Sequence, residues 1–276
     1  MWTDLERPPL DVAALRAALV APAGDWASLH VVARTGSTNA DLLVAARAGA
    51  ADRSVLVAEQ QDAGRGRHAR TWTSPARAGL SMSVLLRTTG VPLSVLGWLP
   101  LLAGVAVADA VQRLAEVEVT LKWPNDVLID GRKLGGILAE VAATTPEPAI
   151  VVGLGLNVSL RAEELPVPTA TSLLLAEAAC TDRDPLLRAV LRELAAREAR
   201  WRSAGGDPVR SGLVADYRAR CSTLGRTVVV TLPEGRALNG EAVDVDDMGR
   251  LVVRDAEGVQ HSVSAGDVTH VRAAER

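Results

Sequence analysis

The sequence predicts an α/β domain followed by a small all-β domain of the SH3-like barrel kind. Strand-like stretches alternate with helical, alanine-rich stretches over roughly the first 220 residues. After Cys221 the pattern changes to five short strand candidates separated by glycine-bearing turns, which is typical of a small barrel. We therefore place a domain boundary near Ser222, with domains at 1–222 and 223–276, and treat 1–27 as an N-terminal helix and its lead-in.

Hydrophobic periodicity and turn residues give the order of elements within the first domain. Helices are predicted at 11–20, 40–48, 93–116, 184–203 and 208–220. Strands are predicted at 29–34, 54–60, 80–87, 117–122, 126–130, 134–141 and 149–158. Ser37, Thr38 and Asn39 offer capping side chains before the second helix, and Asp130-Gly131 is the expected turn of a hairpin. The barrel strands are predicted at 227–231, 237–245, 251–254, 260–263 and 268–271.

Composition excludes several classes of protein. The 276 residues are 48% hydrophobic and 23% charged, with a net charge of −3, which suits a globular protein and argues against a general nucleic-acid or membrane-surface binder. Glycine, proline and aspartate interrupt the longest apolar stretch, 95–111, so a buried helix is expected there. No signal peptide is recognisable. Cys180 and Cys221 have no metal-ligand spacing and are predicted to be ordinary thiols of a cytoplasmic protein.

Lysine is almost absent from the chain. The sequence holds only Lys122 and Lys133, against many arginines, and both lie in one short motif. A site that requires a compact ammonium rather than a planar guanidinium gives a physical reason to keep lysine. Chance placement is the alternative, and we expect a functional role for at least one of the two.

A glycine- and arginine-rich loop follows the second strand at 62–73. Gly64 and Gly66 allow the backbone to approach a ligand, and Arg65, Arg67 and Arg70 offer donors suited to carboxylate and phosphate oxygens. We expect the loop to stay mobile until an anionic ligand orders it, and then to exclude water.

Three other interpretations of this loop compete with ligand binding. It could be a solvated basic turn, or an RNA-binding segment, although one copy in an acidic protein is weak support. Gly64-x-Gly66-x-x-Ala69 also fits a loose dinucleotide-binding pattern, but no helix can open after Ala69 and no acidic residue follows at the required distance. A phosphate-binding loop of the G-x-x-x-x-G-K-[ST] type does not occur.

The stretch 121–140, LKWPNDVLIDGRKLGGILAE, concentrates chemistry-bearing residues. A strand delivers Lys122, Pro124 ends it, and Asn125-Asp126 lies at the break. The next hairpin returns Lys133 towards the same end, before Gly135-Gly136 where a ligand could lie against bare backbone.

The K-W-P-N-D stretch at 122–126 and the K-L-x-G-I-L-x-E stretch at 133–140 resemble the signature of bacterial biotin–protein ligases. Further motifs fall in the family's order: GSTN at 36–39, Glu59, the loop 64–70, and GLGLNV at 153–158. The resemblance covers roughly Val31 to Arg272. It implies a catalytic α/β (α+β) domain built on a mixed sheet, of the biotin/lipoate ligase type, with an SH3-like domain at the C-terminus.

The resemblance also implies roles for individual residues. Those expected to hold biotin are Ser37, Thr38, Asn39, Gln61, Gly64, Arg65, Gly66, Arg67, Lys133, Gly136 and Gly153. Those expected near ATP are Arg67, Arg70, Trp72, Lys122, Asn125 and Asn157. Lys133, Arg67 and Asp126 are the expected catalytic residues, where Asp126 could orient Lys133, help deprotonate an amine, or only brace the hairpin. Ligands for Mg²⁺ are not assigned.

The implied activity has two steps. Biotin and ATP, with Mg²⁺, give biotinyl-5′-AMP and pyrophosphate, and the biotinyl group then passes to a lysine of a biotin carboxyl carrier protein domain. By the same resemblance we expect no DNA partner; composition predicts no membrane partner, and a monomer or weak homodimer is expected. The alternatives are a lipoate/octanoate–protein ligase and a non-catalytic binding module on the same scaffold.

Two positions in the loop depart from the family pattern. Ala69 stands where another glycine is most common, and His68 stands at a basic or variable position. We expect a somewhat stiffer loop for this reason, because alanine lacks glycine's conformational freedom.

Overall fold

The computed structural model of the chain describes residues 7–144, 147–232, 236–264 and 267–270. Predictions for residues 1–6 of the lead-in and for 271–276, which include the end of the fifth barrel strand and Arg272, lie outside the described residues.

Helices and strands follow one another largely as the periodicity predicts. The helices are α1 (Val12–Leu19), α2 (Thr38–Arg47), α3 (Trp98–Ala115), α4 (Arg183–Ser203) and α5 (Leu213–Arg218), with short 3₁₀ turns at Arg67–Ala69, Leu93–Val95 and Ala162–Glu164. The strands are β1 (Ser28–Val32), β2 (Ser54–Ala58), β3 (Gly64–Arg65), β4 (Thr71–Trp72), β5 (Gly79–Arg87), β6 (Thr120–Lys122), β7 (Asp126–Ile129), β8 (Arg132–Ala143), β9 (Ala149–Asn157), β10 (Thr227–Thr231), β11 (Ala237–Val245), β12 (Leu251–Arg254), β13 (Gln260–Val263) and β14 (Asp267–His270).

Three predicted elements need correction. The helix predicted at 208–220 forms only at Leu213–Arg218, because the Asp207 side chain accepts hydrogen bonds from the backbone N–H groups of Val209 and Arg210 and holds the preceding residues in a turn. The helix predicted at 93–116 is split into a 3₁₀ turn and α3. The loop predicted at 62–73 contains a small antiparallel hairpin of β3 and β4.

A seven-stranded mixed sheet forms the centre of the first domain, in the order β1-β2-β5-β9-β8-β7-β6. β1 and β2 pair in parallel, and the remaining pairs are antiparallel. Helix α2 contacts β5, β8 and β9 on one face, while α3 contacts β6 to β9 and α4 contacts α3 and β5. Gly153 and Gly155 do not break β9, which runs continuously through both.

Helix α3 is the core helix of this domain. Among the described residues it is the one helix long and apolar enough to span a membrane by length and composition, and 72% of it is buried inside the protein. Thirteen of its residues, including Trp98, contribute buried side chains or backbone. The prediction of a buried helix at 95–111 is confirmed.

The second domain is a five-stranded antiparallel sheet in the order β13-β12-β11-β10-β14. Two buried indoles join it to the first domain. Trp98 Nε1 donates to the Asp247 carbonyl at 2.9 Å, and Trp123 Nε1 donates to the Gly249 carbonyl at 3.1 Å. Because buried N–H groups need partners, these bonds fix the β11–β12 turn against α3 and the K-W-P-N-D motif. The predicted fold class, a mixed-sheet α/β domain followed by a small all-β domain, is confirmed.

Candidate active site

A cavity of about 630 Å³ opens on the α2 side of the large sheet. Every site residue predicted from the sequence lines it, except Gly64. Gly64 instead supports the loop from behind: a Cβ at this position would lie 2.4 Å from the Trp72 carbonyl oxygen across the β3–β4 pair. This tight backbone approach explains the glycine, and a contact between Gly64 and a ligand stays a prediction.

The floor of the cavity is nearly bare backbone. Gly136 pairs with Gly155, and Gly155 pairs with Ser81 across the next strand. Since directly paired residues of antiparallel strands project to the same face, these small residues form one row on the cavity side. The indole of Trp72 lies on this row, because a Cβ at Gly155 would be 2.4 Å from Trp72 Cε2.

A β-bulge brings Lys133 to the cavity. The register of β7 against β8 shifts by one between Val127 and Leu128, so Leu134 is the additional residue. In a regular strand Lys133 and Gly136, three positions apart, would point to opposite faces. The additional residue of the bulge shifts the alternation of side chains by one position, so that two residues three positions apart across it point to the same face. Lys133 therefore shares the cavity face with Gly136, while Leu134 is fully buried in the core.

Lys133 and Asp126 form an ion pair at this face. Lys133 Nζ donates to Asp126 Oδ1 at 2.5 Å, and the two side chains are 33% and 23% exposed. The ammonium lies against the floor, since a Cβ on Gly136 would be 3.4 Å from Lys133 Nζ. Of the roles considered for Asp126, this contact supports the orientation of Lys133.

A buried polar cluster closes one end of the cavity. Asn39 Nδ2 donates to the Leu138 carbonyl at 3.1 Å and to Glu140 Oε2 at 2.7 Å. The Ser83 hydroxyl contacts Asn39 Oδ1 at 2.6 Å and Thr38 Oγ1 at 2.7 Å. Gln61 Oε1 accepts from the Thr38 N–H at 2.8 Å. Ser37 is the N-cap of α2, so Thr38 and Asn39 lie inside the helix rather than before it.

Ser83 is a site residue that the sequence analysis missed. It is completely buried in the middle of β5, between the apolar side chains of Met82 and Val84. A small hydroxyl in such a strand must find a buried partner, which is the signal that could have found it. Through Ser83, the sheet fixes the side chain of Asn39 above Gly153, where an added Cβ would lie 2.1 Å from Asn39 Oδ1.

The arginine-rich loop covers the other end. Arg67 Nη1 donates to Asn125 Oδ1 at 3.4 Å. Asn125 is itself held to β8, because its Nδ2 donates to the Ile137 carbonyl at 2.9 Å. His68 and Ala69 have φ values of +54° and +56°, in the region that favours glycine. The departure at Ala69 thus falls on a residue with left-handed backbone.

Two buried polar atoms of the cavity lining have no hydrogen-bond partner among the described residues: Trp72 Nε1 and Asn157 Oδ1. Asn157 is 2% exposed, and its Nδ2 donates to the Thr171 carbonyl at 2.9 Å. A buried unsatisfied donor and acceptor in one cavity indicate a ligand that supplies both complementary groups.

The lining is strongly cationic. Among the described residues it contains Arg65, Arg67, Arg70, Lys122 and Lys133 against one acidic residue, Asp126. Such a lining favours anionic substrates. No group of three or more His, Cys, Asp or Glu side chains that could hold a metal ion is present in the described parts of the chain.

Residues from two other regions, which the sequence analysis did not assign to the site, complete the lining. Pro166, Val167, Thr169 and Ala170 come from the segment after β9, and Thr231, Val268 and Thr269 come from the all-β domain. Burial, together with the positive charges of Lys122 and Arg226, lowers the pKa of His270 to about 4, so this imidazole is neutral at pH 7 beside the motif lysine. The positions of the lining residues from these two regions depend on how the two domains pack together, which local sequence patterns do not encode.

The chain matches the Biotin/lipoate A/B protein ligase family over residues 31–157 and the Biotin protein ligase C terminal domain over residues 223–271. It is 50% identical to the biotin–[acetyl-CoA-carboxylase] ligase of Mycobacterium tuberculosis over 273 residues, 98% of each chain. The chain belongs to the biotin/lipoate A/B protein ligase family. The family predicted from the two motifs is thereby confirmed.

More distant relatives agree with this assignment. The bifunctional ligase/repressor BirA of Escherichia coli is 32% identical over 79% of this chain and 66% of its own length. Among solved structures, the biotin protein ligase of Aquifex aeolicus in complex with biotin and ATP superposes with a TM-score of 0.72 at 26% identity, covering 90% of this chain and all of that one. The fold shared with that ligase includes both domains described above.

Proposed function

We propose that this chain is an ATP-dependent biotin–protein ligase that forms biotinyl-5′-AMP and transfers biotin to a lysine of a biotin carboxyl carrier protein domain. The M. tuberculosis relative carries the corresponding name, and the A. aeolicus relative was solved with biotin and ATP. The observation that carries the proposal is the cavity itself, where five cationic side chains surround a bare backbone floor.

In the first step a carboxylate oxygen of biotin attacks the α-phosphorus of ATP. A new P–O bond forms, the bond to the β-phosphate oxygen breaks, and pyrophosphate leaves. Both reactants are anionic, so the step needs fixed positive charge around the reacting oxygens. Lys133, with its ammonium against Gly136, and Arg67, anchored on Asn125, supply it.

In the second step the neutral amine of the acceptor lysine attacks the acyl carbon, the bond from that carbon to the phosphate oxygen breaks and AMP leaves, and the nitrogen loses a proton to solvent as the amide forms. Lys133 stabilises the negative charge that develops on the acyl carbonyl oxygen during this attack. Asp126 orients Lys133 through their 2.5 Å contact. The arginine-rich loop closes over the mixed anhydride and keeps water from it.

The two ends of the cavity suit the two small substrates. The polar cluster at Ser37, Thr38 and Gln61 provides hydrogen-bonding groups for the ureido ring of biotin. The unsatisfied atoms of Trp72 and Asn157, with Asn125 and the motif lysine Lys122, lie at the nucleotide end. Asn39 joins this cluster to β5 and β8 and supports the biotin end, and Gly153 leaves room for the Asn39 side chain.

The same cluster favours biotin over lipoate. The dithiolane ring of lipoate offers no strong hydrogen-bonding groups, so it would leave the buried hydroxyls and amide without new partners. Sites built to bond a polar substrate reject an apolar analogue strongly. The buried contacts of Ser83 and Thr38 therefore support biotin as the carboxylate substrate.

Magnesium enters this scheme as part of the substrate MgATP. The cavity lining offers one carboxylate among the described residues, Asp126, and that group is paired with Lys133. Phosphate oxygens are the usual ligands of Mg²⁺ in such sites. We further propose a cytoplasmic enzyme acting as a monomer or weak homodimer, with no DNA or membrane partner.

The test is pyrophosphate release from ATP and Mg²⁺ with biotin, lipoate or octanoate, followed by mass measurement of an added biotin carboxyl carrier domain. The expected result is biotin-dependent release and one biotinyl mass increment on the carrier. Release with lipoate or octanoate instead would overturn the substrate, and no release with any of the three would favour a binding module.

A further inference from the structure

The segment 159–173, named here the bracing segment, runs from the end of β9 along the wall of the cavity. At Lys133 it pairs with the backbone of β8 as a neighbouring strand would. Lys133 N–H donates to the Thr169 carbonyl at 2.8 Å, and the Thr171 N–H donates to the Lys133 carbonyl at 2.8 Å. These bonds form a parallel bridge between Lys133 and Ala170.

Lys133 depends on this bridge because β9 ends before reaching it. β9 pairs with β8 from Gly135 onwards, and on the other side the bulge disturbs the pairing of β8 with β7. A residue next to a bulge at the end of its ladder has few backbone bonds to hold its side-chain direction. The bracing segment supplies the two that Lys133 makes on this side.

Arg7 clamps the bracing segment at two points. Its Nη2 donates to the Ser159 carbonyl at 2.8 Å and to Glu164 Oε2 at 2.6 Å, and its Nη1 donates to Glu164 Oε1 at 3.2 Å. The side chains of Arg7 and Glu164 are 5% and 12% exposed. Bidentate pairs of this kind are strong and directional when water is excluded.

Glu164 connects the clamp to the backbone of the segment. Its Oε2 also accepts a hydrogen bond from the Arg161 N–H at 2.9 Å. Burial acts to raise the pKa of Glu164, but the hydrogen bonds from Arg7 and the Arg161 amide outweigh it and bring the pKa below its usual value. The carboxylate is therefore charged at neutral pH and stabilises the 3₁₀ turn that precedes the cavity-lining residues.

The residues that follow Arg7 are anchored elsewhere, so Arg7 can act as a fixed point. Arg183 Nη2 donates to the Pro8 carbonyl at 2.6 Å, and the Leu10 N–H donates to Glu59 Oε1 at 2.8 Å. Arg183 and Glu59 pair at 2.5 Å and are both nearly buried. Arg7 thus ties the bracing segment to Glu59, just after β2, and to the start of α4, in addition to the hydrogen bonds within the segment.

We propose that Arg7 is a positioning residue of the ligase, which holds the backbone of Lys133 through Glu164, the Ser159 carbonyl and the bracing segment. Its kinetic consequence rests on the proposed function, whereas its structural consequence does not. Loss of the clamp loosens the first half of the bracing segment, so that the backbone of Lys133 is held less firmly and its ammonium, which must meet developing charge, is misplaced. Small misplacements of such groups have large effects on rate.

The test compares Arg7→Ala, Arg7→Lys and Arg53→Ala by hydrogen exchange and by pyrophosphate release. Arg53 is the matched control, because it pairs with the buried Glu198 at 2.6 Å, the same distance as in the Arg7 pair, but does not contact the bracing segment. In Arg7→Ala the amides of Lys133 and Thr171 should exchange about 10-fold faster or more. Its kcat for adenylation should fall about 10-fold, with the KM for biotin changed far less.

Arg7→Lys keeps one charge and should recover part of both effects, while Arg53→Ala should change neither. Glu164→Gln, which keeps the shape of the side chain, serves if Arg7→Ala does not fold. Unchanged exchange at Lys133 in Arg7→Ala or Glu164→Gln, or an equal loss of kcat in Arg53→Ala, would overturn the clamp. If the wild-type enzyme released no pyrophosphate with biotin, the proposed function would fail, and hydrogen exchange would still decide the clamp.

Discussion

The two faces of the seven-stranded sheet are built from alternate residues of the same strands. One face carries the substrate cavity, and the other packs in the main hydrophobic core. Along β9, Gly153 and Gly155 face the cavity, while Val152, Leu154 and Leu156 belong to the hydrophobic core beneath α3 and α4. At the cavity this face of β9 presents bare backbone, and beyond it Ala149 and Val151 pack against α2, whereas the opposite face carries large side chains along its length. Because the side-chain period of a strand is two, one strand can supply a bare floor for substrates and an apolar core for stability.

The two faces also differ in how their side chains are held in place. On the cavity face the residues that matter are held from outside the strand. Asn39 is fixed by Ser83, Lys133 by a bulge and the bracing segment, and Arg67 by Asn125. The core face needs no such supports, since close packing of large side chains fixes it. Substitutions on the two faces should therefore separate activity from stability.

The largest effect is expected at Lys133, on the cavity face. Lys133→Arg should lower the rate of biotin-dependent pyrophosphate release by about 100-fold or more, because a planar guanidinium cannot take the place of the ammonium between Asp126 and Gly136. Pyrophosphate release and the thermal unfolding midpoint should be measured together. Lys122→Arg is the matched substitution, and it should retain more activity. Release near the wild-type rate in Lys133→Arg would remove Lys133 from the mechanism.

The sequence predicts the features that depend on local periodicity, and it does not predict those that hold the cavity side chains in place. Alternation and turn residues placed the strands of the sheet and the five barrel strands, since both depend on local periodicity. The motif residues predicted for the site do converge on one cavity. The bulge at Leu134 was not predictable, because the period of two assigns Lys133 to the opposite face from Gly136.

The contact between Arg7 and Glu164 could not be predicted from the sequence either. Arg7 and Glu164 lie 157 positions apart, and nothing in the local pattern of either marks it as a partner. The contacts of Asn39 have a similar cause: its side chain bonds to β5 and β8, which are distant in sequence. Long-range contacts of this kind depend on how the elements pack, whereas propensities describe each element alone.

On the core face, Leu156→Ala should lower the free energy of unfolding by about 2–5 kcal/mol, because it leaves a cavity among fully packed side chains. Leu156 is 5% exposed and belongs to the main core cluster. Activity per folded molecule and the KM for biotin should stay close to wild type, measured well below the unfolding midpoint. A large rise in KM with little change in stability would show that the two faces are not independent.

On the cavity face, Gly153→Ala should raise the KM for biotin by about 10-fold, with a smaller change in unfolding free energy than Leu156→Ala. The added Cβ would lie 2.1 Å from Asn39 Oδ1, so Asn39 must leave its bonds to Ser83 and the Leu138 carbonyl. Steady-state kinetics of pyrophosphate release measure the effect. Gly36→Ala is the control, since a Cβ there meets nothing within 4 Å. Equal KM values in the two variants would contradict a biotin end at Asn39.

The smallest effect is expected in the arginine-rich loop, which belongs to neither face of the sheet. Ala69 has a φ of +56°, which is unfavourable for any residue with a Cβ by about 1 kcal/mol. Ala69→Gly should relieve this strain and slow tryptic cleavage after Arg65, Arg67 and Arg70 several-fold, because the folded form of the loop is favoured.

Ala63→Gly is the matched control in the same loop. Ala63 is not among the residues with positive φ, so glycine there only adds freedom to the unfolded loop and should speed cleavage. If both variants were cleaved faster than wild type, the left-handed backbone at Ala69 would not limit the loop, and the departure from glycine would carry no conformational penalty.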